Sequence, residues 1–168
     1  SEHVVRELPD LFALGEWLGR NIPPTMTPGV IHGDYHLDNT LASRERPEIL
    51  AIIDWELATI GDCYMDLALM LMFWGDYRTQ KPPAFQALQA ISRQSGTISR
   101  RELAGRWAEA LGRPLHHMNF YMALAFWRLA AIIEGAYGLY VEGKLDSDYA
   151  RGLEYDAVSY THLRAHET

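Results

Sequence analysis

The stretch 31–39, Ile-His-Gly-Asp-Tyr-His-Leu-Asp-Asn, is the most informative part of the sequence, and an apolar run at 49–53 follows it and ends at Asp54. Val30–Ile31 predicts a short strand that leads into the first block, and Thr40–Ala42 predicts a second one. The β-branched run at 49–53 predicts a buried strand. The polar residues therefore lie at strand ends, where side chains from different strands can face one cavity.

Most of the remaining chain is predicted to be helical, so the expected fold class is α+β with helices dominant. After Asp54 the pattern turns helical and remains so to residue 158. Apolar residues at helical spacing predict helices at 11–19, 64–74, 83–93, 99–111, 115–141 and 146–158. We expect Asp62 to cap the second of these helices and Ser99 the fourth.

Composition excludes several classes of protein. The chain has 168 residues, which is room for one domain, and a net charge of −7 without any Lys/Arg cluster, so no nucleic-acid partner is expected. Cys63 is the only cysteine, which rules out a disulfide framework or a thiolate zinc site and is compatible with the cytoplasm. The apolar stretches 64–74 and 118–133 are short for a membrane span, so we interpret both as buried helices and expect no membrane partner.

Three oxygen-bearing side chains fit the requirements of phosphoryl transfer. That chemistry needs a carboxylate that orients the attacking hydroxyl, and oxygen ligands that hold Mg²⁺ against a triphosphate. Asp34 and Asn39 share one loop, and Asp54 at a strand end supplies a charged ligand. One carboxylate and one amide suffice for Mg²⁺, because this ion keeps several waters and binds phosphate oxygens as well.

These motifs resemble a known family. Residues 31–39, together with Asp-Trp-Glu at 54–56 and Gly-Asp-Cys-Tyr-Met-Asp-Leu-Ala at 61–68, are similar to the aminoglycoside phosphotransferase-like and choline kinase-type kinases. The branch found fused to acyl-CoA dehydrogenases is the most similar, also over 120–135. The resemblance extends over about 11–157. It differs at Cys63, where the family usually has Pro.

The resemblance implies a fold and a set of roles. The fold would be the C-terminal lobe of a protein-kinase-like enzyme, with a small β-hairpin that carries the catalytic loop and a helical block. Asp34 would be the catalytic carboxylate, and His32 would brace its loop. Asn39 and Asp54 would bind Mg²⁺ and, through it, ATP, while Asp66 and Asp62 would give structural support.

The resemblance also implies that the N-terminal lobe is absent. The chain has no Gly-rich phosphate loop, and its only lysines, Lys81 and Lys144, do not lie in strand patterns. We therefore interpret 1–158 as the C-terminal lobe and 159–168 as a non-native or disordered tail. The parent protein would be an active phosphotransferase with an alcohol group as acceptor, and the isolated chain would be inactive.

The substrate class follows only from the resemblance. The acyl-CoA dehydrogenase-fused branch implies a hydroxylated acyl-CoA or a hydroxy acid, and an aminoglycoside is the less favoured acceptor. The expected partners are thus ATP, a small hydroxylated substrate and the missing N-terminal lobe.

Two other functions remain open at this level. His32, Asp34, His36 and Asp54 could form the mixed ligand set of a metal-dependent hydrolase. A non-catalytic module that keeps a kinase-like fold for binding is the other alternative. His36 and Glu56 are further possible site residues. His36 could face the metal, but a polar side chain is also expected in a loop. Glu56 could approach the metal, but a solvated or salt-bridged glutamate is equally ordinary there.

Overall fold

The computed structural model describes residues 7–24, 26, 28–75, 89–146 and 153. The chain divides into two compact units, and each is described by itself. One unit comprises Ser1–Ile22, Tyr77–Ala87 and Ala123–Thr168, and the other comprises Pro23–Asp76 and Leu88–Met122. The 159–168 tail, most of the helix expected at 83–93 and nearly all of the one expected at 146–158 lie outside the described residues.

Two antiparallel pairs of strands form the β-structure of the second unit. Strand β1 (Pro28–Ile31) pairs with β4 (Thr59–Asp62), and β2 (Thr40–Ala42) pairs with β3 (Ile49–Ile52). The register sets Ile31 opposite Thr59 and Thr40 opposite Ile52. Consecutive strands β2 and β3 thus form a hairpin, whereas β4 returns to a strand that precedes both of them.

Two expectations about the strands were wrong. Residues 59–62 form β4 instead of continuing a helical pattern, because Thr and Ile there pair with β1 and the helix begins only afterwards. The run at 49–53 is not buried: Ile49 is 52% and Leu50 61% exposed. β2 and β3 form a separate two-stranded sheet, and the described residues place no further layer over these side chains.

Helices α2 (Tyr64–Phe73) and α3 (Arg100–Leu111) complete the second unit together with the start, 118–122, of helix α4 (Met118–Val141). Apolar residues surround the axis of α2, and eight of its ten residues are buried, as its composition predicts. The Ser99 side chain accepts a hydrogen bond from the Glu102 amide, so Ser99 is the expected N-cap of α3. Ala90–Arg93, at the end of the segment expected to be helical, is a 3₁₀ turn.

Helix α1 (Pro9–Arg20) and the greater part of α4 (Met118–Val141) belong to the first unit. The indole nitrogen of Trp127 donates a hydrogen bond of 3.0 Å to the Leu11 carbonyl. Gly15 permits this approach, since a Cβ there would lie 3.0 Å from Trp127 Nε1. The buried apolar residues of this unit include Leu14, Leu18, Phe126, Ala130 and Ile133.

Helix α4 is long and apolar enough to cross a membrane by length and composition alone, with 24 residues and a mean hydropathy of 1.3 in its most apolar window. A third of that window is buried within the protein. The core helix of a globular protein meets the same criteria.

Candidate active site

Two connections run side by side between the two sheets. Segment 32–39 leads from β1 to β2, and segment 53–58 leads from β3 to β4. Because Ile31 is paired with Thr59 and Thr40 with Ile52, the two segments begin and end at paired positions. The strand register alone therefore brings Asp34 and Asn39 close to the residues that follow β3.

Hydrogen bonds join the two segments directly. The Ile53 amide donates to the Asn39 carbonyl at 3.0 Å, and His32 Nε2 donates to the Ile53 carbonyl at 2.7 Å. Gly33, at a φ of +82°, lies so close to the Leu57 carbonyl that a Cβ would overlap with it. Both polar backbone groups of Ile53 are thus bound to segment 32–39, immediately before Asp54.

His32 uses both of its ring nitrogens within the protein. The Ile53 carbonyl only accepts, so Nε2 carries the proton, and Nδ1 accepts a hydrogen bond of 3.2 Å from the Asp34 amide. The side chain is also 98% buried. His32 in this arrangement cannot be a metal ligand, and this geometry does not support the hydrolase alternative.

Asp66, in the first turn of α2, binds the start of segment 32–39. Its two carboxylate oxygens accept hydrogen bonds from the amides of His32, at 2.7 Å, and Gly33, at 2.9 Å. Bonds between backbone amides and a charged acceptor are among the stronger ones in proteins. The conformation just before Asp34 therefore depends on a side chain of α2.

Asn39 fixes the other side of Asp34. Its Nδ2 donates to the Asp34 carbonyl at 2.9 Å and lies 3.4 Å from the carboxylate oxygen Oδ2 of the same residue. The Asn39 side chain is buried, whereas that of Asp34 is 41% exposed. Since Nδ2 is engaged as a donor, the amide oxygen Oδ1 is the atom that Asn39 offers to a ligand.

Asp54 stands at a left-handed backbone position, with φ 66° and ψ 51°. Residues other than glycine rarely adopt this conformation, which is found at functional sites. Asp54 is exposed, and its carboxylate makes no hydrogen bond or ion pair with the described residues. The carboxylate therefore does not point into apolar packing.

His36 lies between two carboxylates. Its Nε2 is 3.7 Å from Asp34 Oδ2, and its Nδ1 is 3.4 Å from Asp38 Oδ2, without a well-oriented hydrogen bond. The ring packs edge-on against Phe73 at 5.7 Å. Burial lowers the pKa of His36, but Asp34 and then Asp38 outweigh burial, and the net result is a raised pKa.

Asp62, at the end of β4, accepts hydrogen bonds from the Tyr64 amide at 3.1 Å and from the Tyr121 hydroxyl at 2.9 Å. Burial and the Asp62 carboxylate raise the pKa of Tyr121. The prediction that Asp62 is the N-cap residue of α2 was wrong by one position: the N-cap residue is Cys63, and Asp62 bonds to the amide of the first helical residue. Burial raises the pKa of the Cys63 thiol, which keeps it protonated. This corner is a structural support for the start of α2.

The carboxylates of the site do not form an all-protein metal cage. Within the described part of the chain, no group of three or more His, Cys, Asp or Glu side chains could hold a metal ion. Glu56 lies exposed in the 3₁₀ turn Trp55–Leu57, and no described residue pairs with its side chain.

Sequence reasoning missed Gln89, a buried residue that contacts the loop of Asp34 and Asn39. It lies far from that loop in sequence, within the segment 83–93 that is predicted to be a helix. A glutamine carries no signal of its own, and only the structure shows what it contacts.

A family model settles the class of protein. The model of the phosphotransferase enzyme family, APH, matches residues 2–102, which is more than half of the chain. The chain therefore belongs to this phosphotransferase family, and the matched range contains the whole site described above.

The relatives are larger proteins. Acyl-CoA dehydrogenase family member 10 from Mus musculus is 32% identical over 149 residues, 86% of this chain and 14% of the relative. Acyl-CoA dehydrogenase family member 11 from Homo sapiens is 34% identical over 146 residues, 85% of this chain and 18% of the relative. The chain thus spans less than a fifth of either.

A solved structure has the same fold. A protein from Ralstonia eutropha JMP134, provisionally described as an aminoglycoside phosphotransferase, superposes with a TM-score of 0.81 at 27% identity. The match covers 95% of this chain and 49% of that one. The kinase-like fold and the family resemblance are both confirmed, and this chain corresponds to about half of the solved one.

Proposed function

We propose that this chain carries the phosphoryl-transfer site of an ATP-dependent small-molecule kinase whose acceptor is a hydroxyl group. The single observation that supports this most is the pair of side-by-side connections, which puts Asp34 and Asn39 on one segment and Asp54 on the segment bonded to it. Family membership supports phosphotransferase chemistry in general.

The residues fit Mg²⁺. Asp54 offers an exposed carboxylate and Asn39 an amide oxygen, and both are hard oxygen donors of the kind this ion prefers. Two protein ligands leave room for phosphate oxygens and water. When bound, Mg²⁺ would neutralise charge on the phosphates.

Asp34 is the group that we expect to act on the acceptor. Its half-exposed carboxylate accepts a hydrogen bond from the substrate hydroxyl, orients its oxygen towards the γ-phosphate and takes the proton as transfer proceeds. His32 and Asn39 hold the backbone of Asp34 from two directions. This fixed position is the main contribution of the chain, because phosphoryl transfer depends on alignment.

The test uses a full-length protein that contains this chain, Mg·ATP and a panel of hydroxy acids, hydroxyacyl-CoA esters and aminoglycosides. We expect Asp34→Ala to reduce kcat by about 10²- to 10⁴-fold and to leave nucleotide binding largely intact. Asp54→Asn should lower kcat and, unlike Asp34→Ala, should also weaken the binding of Mg·ATP. Glu45→Gln, which changes an exposed carboxylate in the β2–β3 turn, is the matched control. Normal turnover by Asp34→Ala would contradict the assignment.

A hydroxyacyl-CoA or hydroxy acid is the acceptor class that we propose, on the basis of the relatives named as acyl-CoA dehydrogenase family members. The 168-residue chain alone should show little or no ATP-dependent phosphorylation, because it spans about half of the solved phosphotransferase. Turnover by the short chain at a rate near that of the long protein would refute this proposal. Binding of nucleotide without turnover by either protein would favour a non-catalytic module.

A further inference from the structure

Gln89 makes three hydrogen bonds close to the site, one through its backbone amide and two through its side chain. It is 99% buried, and its backbone has a left-handed φ of 48°. Its amide nitrogen donates to Asp38 Oδ2 at 2.7 Å, and its Oε1 accepts from the Leu37 amide at 3.1 Å. Two bonds thus join this residue to the turn that ends in Asn39, across some fifty positions of sequence.

The third bond of Gln89 goes to helix α2. Its Nε2 donates to the Met70 carbonyl at 3.0 Å. That carbonyl lies in the last turn of α2, where the Trp74 amide bonds to Leu71 instead of Met70. Gln89 therefore satisfies a helix-end carbonyl that the Trp74 amide leaves free.

One face of α2 carries both ends of the loop. Met70 follows Asp66 by four residues, and Phe73 follows Met70 by three. This spacing puts the three residues along one face of the helix. Asp66 binds the amides of residues 32 and 33, the Met70 carbonyl binds Gln89, and Phe73 contacts the ring of His36. The first anchor is direct, whereas the second passes through Gln89.

We propose that Gln89 is a positioning residue for phosphoryl transfer: it ties the 37–39 turn to α2 and so sets the place of Asn39 and, through Asn39, of Asp34. The inference rests on the function proposed above, since positioning matters only if this loop transfers phosphate. A side chain that merely filled space would not need to satisfy polar groups on two different elements, the Leu37 amide and the Met70 carbonyl. Gln89 contacts no substrate itself.

The test compares Gln89→Met with Gln94→Met. Methionine keeps the volume of the buried side chain but cannot bond to Leu37 or Met70, and Gln94 is an exposed glutamine of the same segment. Hydrogen exchange is measured on the 168-residue chain, and steady-state kinetics with Mg·ATP on the full-length protein. Circular dichroism gives the folded fraction of each variant.

We expect the Leu37 amide of Gln89→Met to exchange about tenfold faster or more, since a part-buried bond is lost. We expect kcat per folded molecule to fall by about 10- to 100-fold, with little change in KM for ATP. Gln89→Glu keeps the acceptor for the Leu37 amide but replaces the donor to Met70 with an oxygen that faces the Met70 carbonyl, so its Leu37 amide should exchange more slowly than in Gln89→Met while its kcat also falls. Gln94→Met should match the wild type in both measurements.

The outcomes separate the two proposals. A wild-type protein that phosphorylates no acceptor contradicts the proposed function, and with it the catalytic importance of Gln89, whatever exchange shows. An active wild type with unchanged kcat in Gln89→Met overturns the positioning role alone, as does an unchanged Leu37 amide. If Gln89→Met and Gln89→Glu both fail to fold, Gln89 serves stability only and the inference is overturned.

Discussion

The two connections between the sheets are held in different ways. Segment 32–39 buries His32, His36 and Asn39 and is bound through side chains of Asp66 and Gln89. Segment 53–58 is exposed at every residue, and its bonds to segment 32–39 run through the backbone of Ile53. Both segments thus connect the same two sheets, but segment 32–39 is largely buried and segment 53–58 is exposed.

This difference separates two requirements of a phosphoryl-transfer site. A group that must align a hydroxyl needs a fixed backbone, and Asp34 stands on the segment held from several sides. A metal ligand needs an accessible carboxylate, and Asp54 stands on the open segment, next to Ile53, whose backbone is bonded to segment 32–39. Substitutions at the contacts between these segments, and at the contacts to α2, test this division.

Gly33→Ala should have the largest effect on stability, because it breaks the contact between the segments. The added Cβ would overlap the Leu57 carbonyl, and the residue would keep an unfavourable positive φ. We expect a loss of about 4 kcal/mol in the free energy of unfolding, from strain and overpacking together. Urea unfolding followed by circular dichroism measures it.

Gly29→Ala is the matched control, since Gly29 lies in β1 with nothing within 4 Å of a new Cβ. It should change stability by less than about 1 kcal/mol. Equal losses in the two variants would show that the close approach at Gly33 does not matter.

Asp66→Ala should cause the second-largest loss of stability, because it removes the contact that holds segment 32–39 on α2. It does not change a contact of segment 53–58 directly. The amides of His32 and Gly33 would lose a charged acceptor, at a cost of about 3 kcal/mol. Hydrogen exchange of these two amides locates the damage. Glu109→Ala, at an exposed position of α3, is the control, and protection that persists in Asp66→Ala would argue against the anchor.

His36 gives the smallest effect, one that depends on pH. Burial lowers its pKa, but Asp34 and Asp38 raise it further, so the folded-state pKa lies above the unfolded value of about 6.5. Stability from protonated His36 is then fully present below about pH 6.5 and is lost as pH rises through the folded pKa. The difference in unfolding free energy between wild type and His36→Gln should shrink over that range by about 1 kcal/mol or less.

Denaturant titrations in metal-free buffer at a series of pH values follow this difference. His116→Gln is the control, since this histidine is exposed and no carboxylate is paired with it among the described residues. A difference that grows with rising pH would reverse the sign and contradict the arrangement of charges around His36.

The sequence predicts the local elements of the site better than its surroundings. Helix α1, helix α2, the cap of α3 and the strands on both sides of 32–39 follow from short-range patterns of apolar and capping residues. The resemblance of the motif at 31–39 identifies the family, which the family model confirms. These features need only residues that are close in sequence.

Longer-range features are not predictable in this way. Strand β4 is recognisable only by its pairing with β1, because Thr-Ile-Gly-Asp at 59–62 is too short to carry a periodicity. The exposure of β3 depends on what covers it, and an apolar run says nothing of that. Gln89 acts through bonds to residues 37, 38 and 70, and its own neighbours in sequence give no indication of them.

The paired ends of the two connections also limit where the chain can change length. An extra residue in 53–58 has to be absorbed between paired positions, because a shift of β4 by one position against β1 would turn the side chains of that strand to the opposite face. The same holds for an extra residue in 32–39 and the pairing of β2 with β3. The tip of the β2–β3 hairpin, at 43–48, belongs to neither connection and can accept insertions. Natural length variation in relatives should therefore concentrate there.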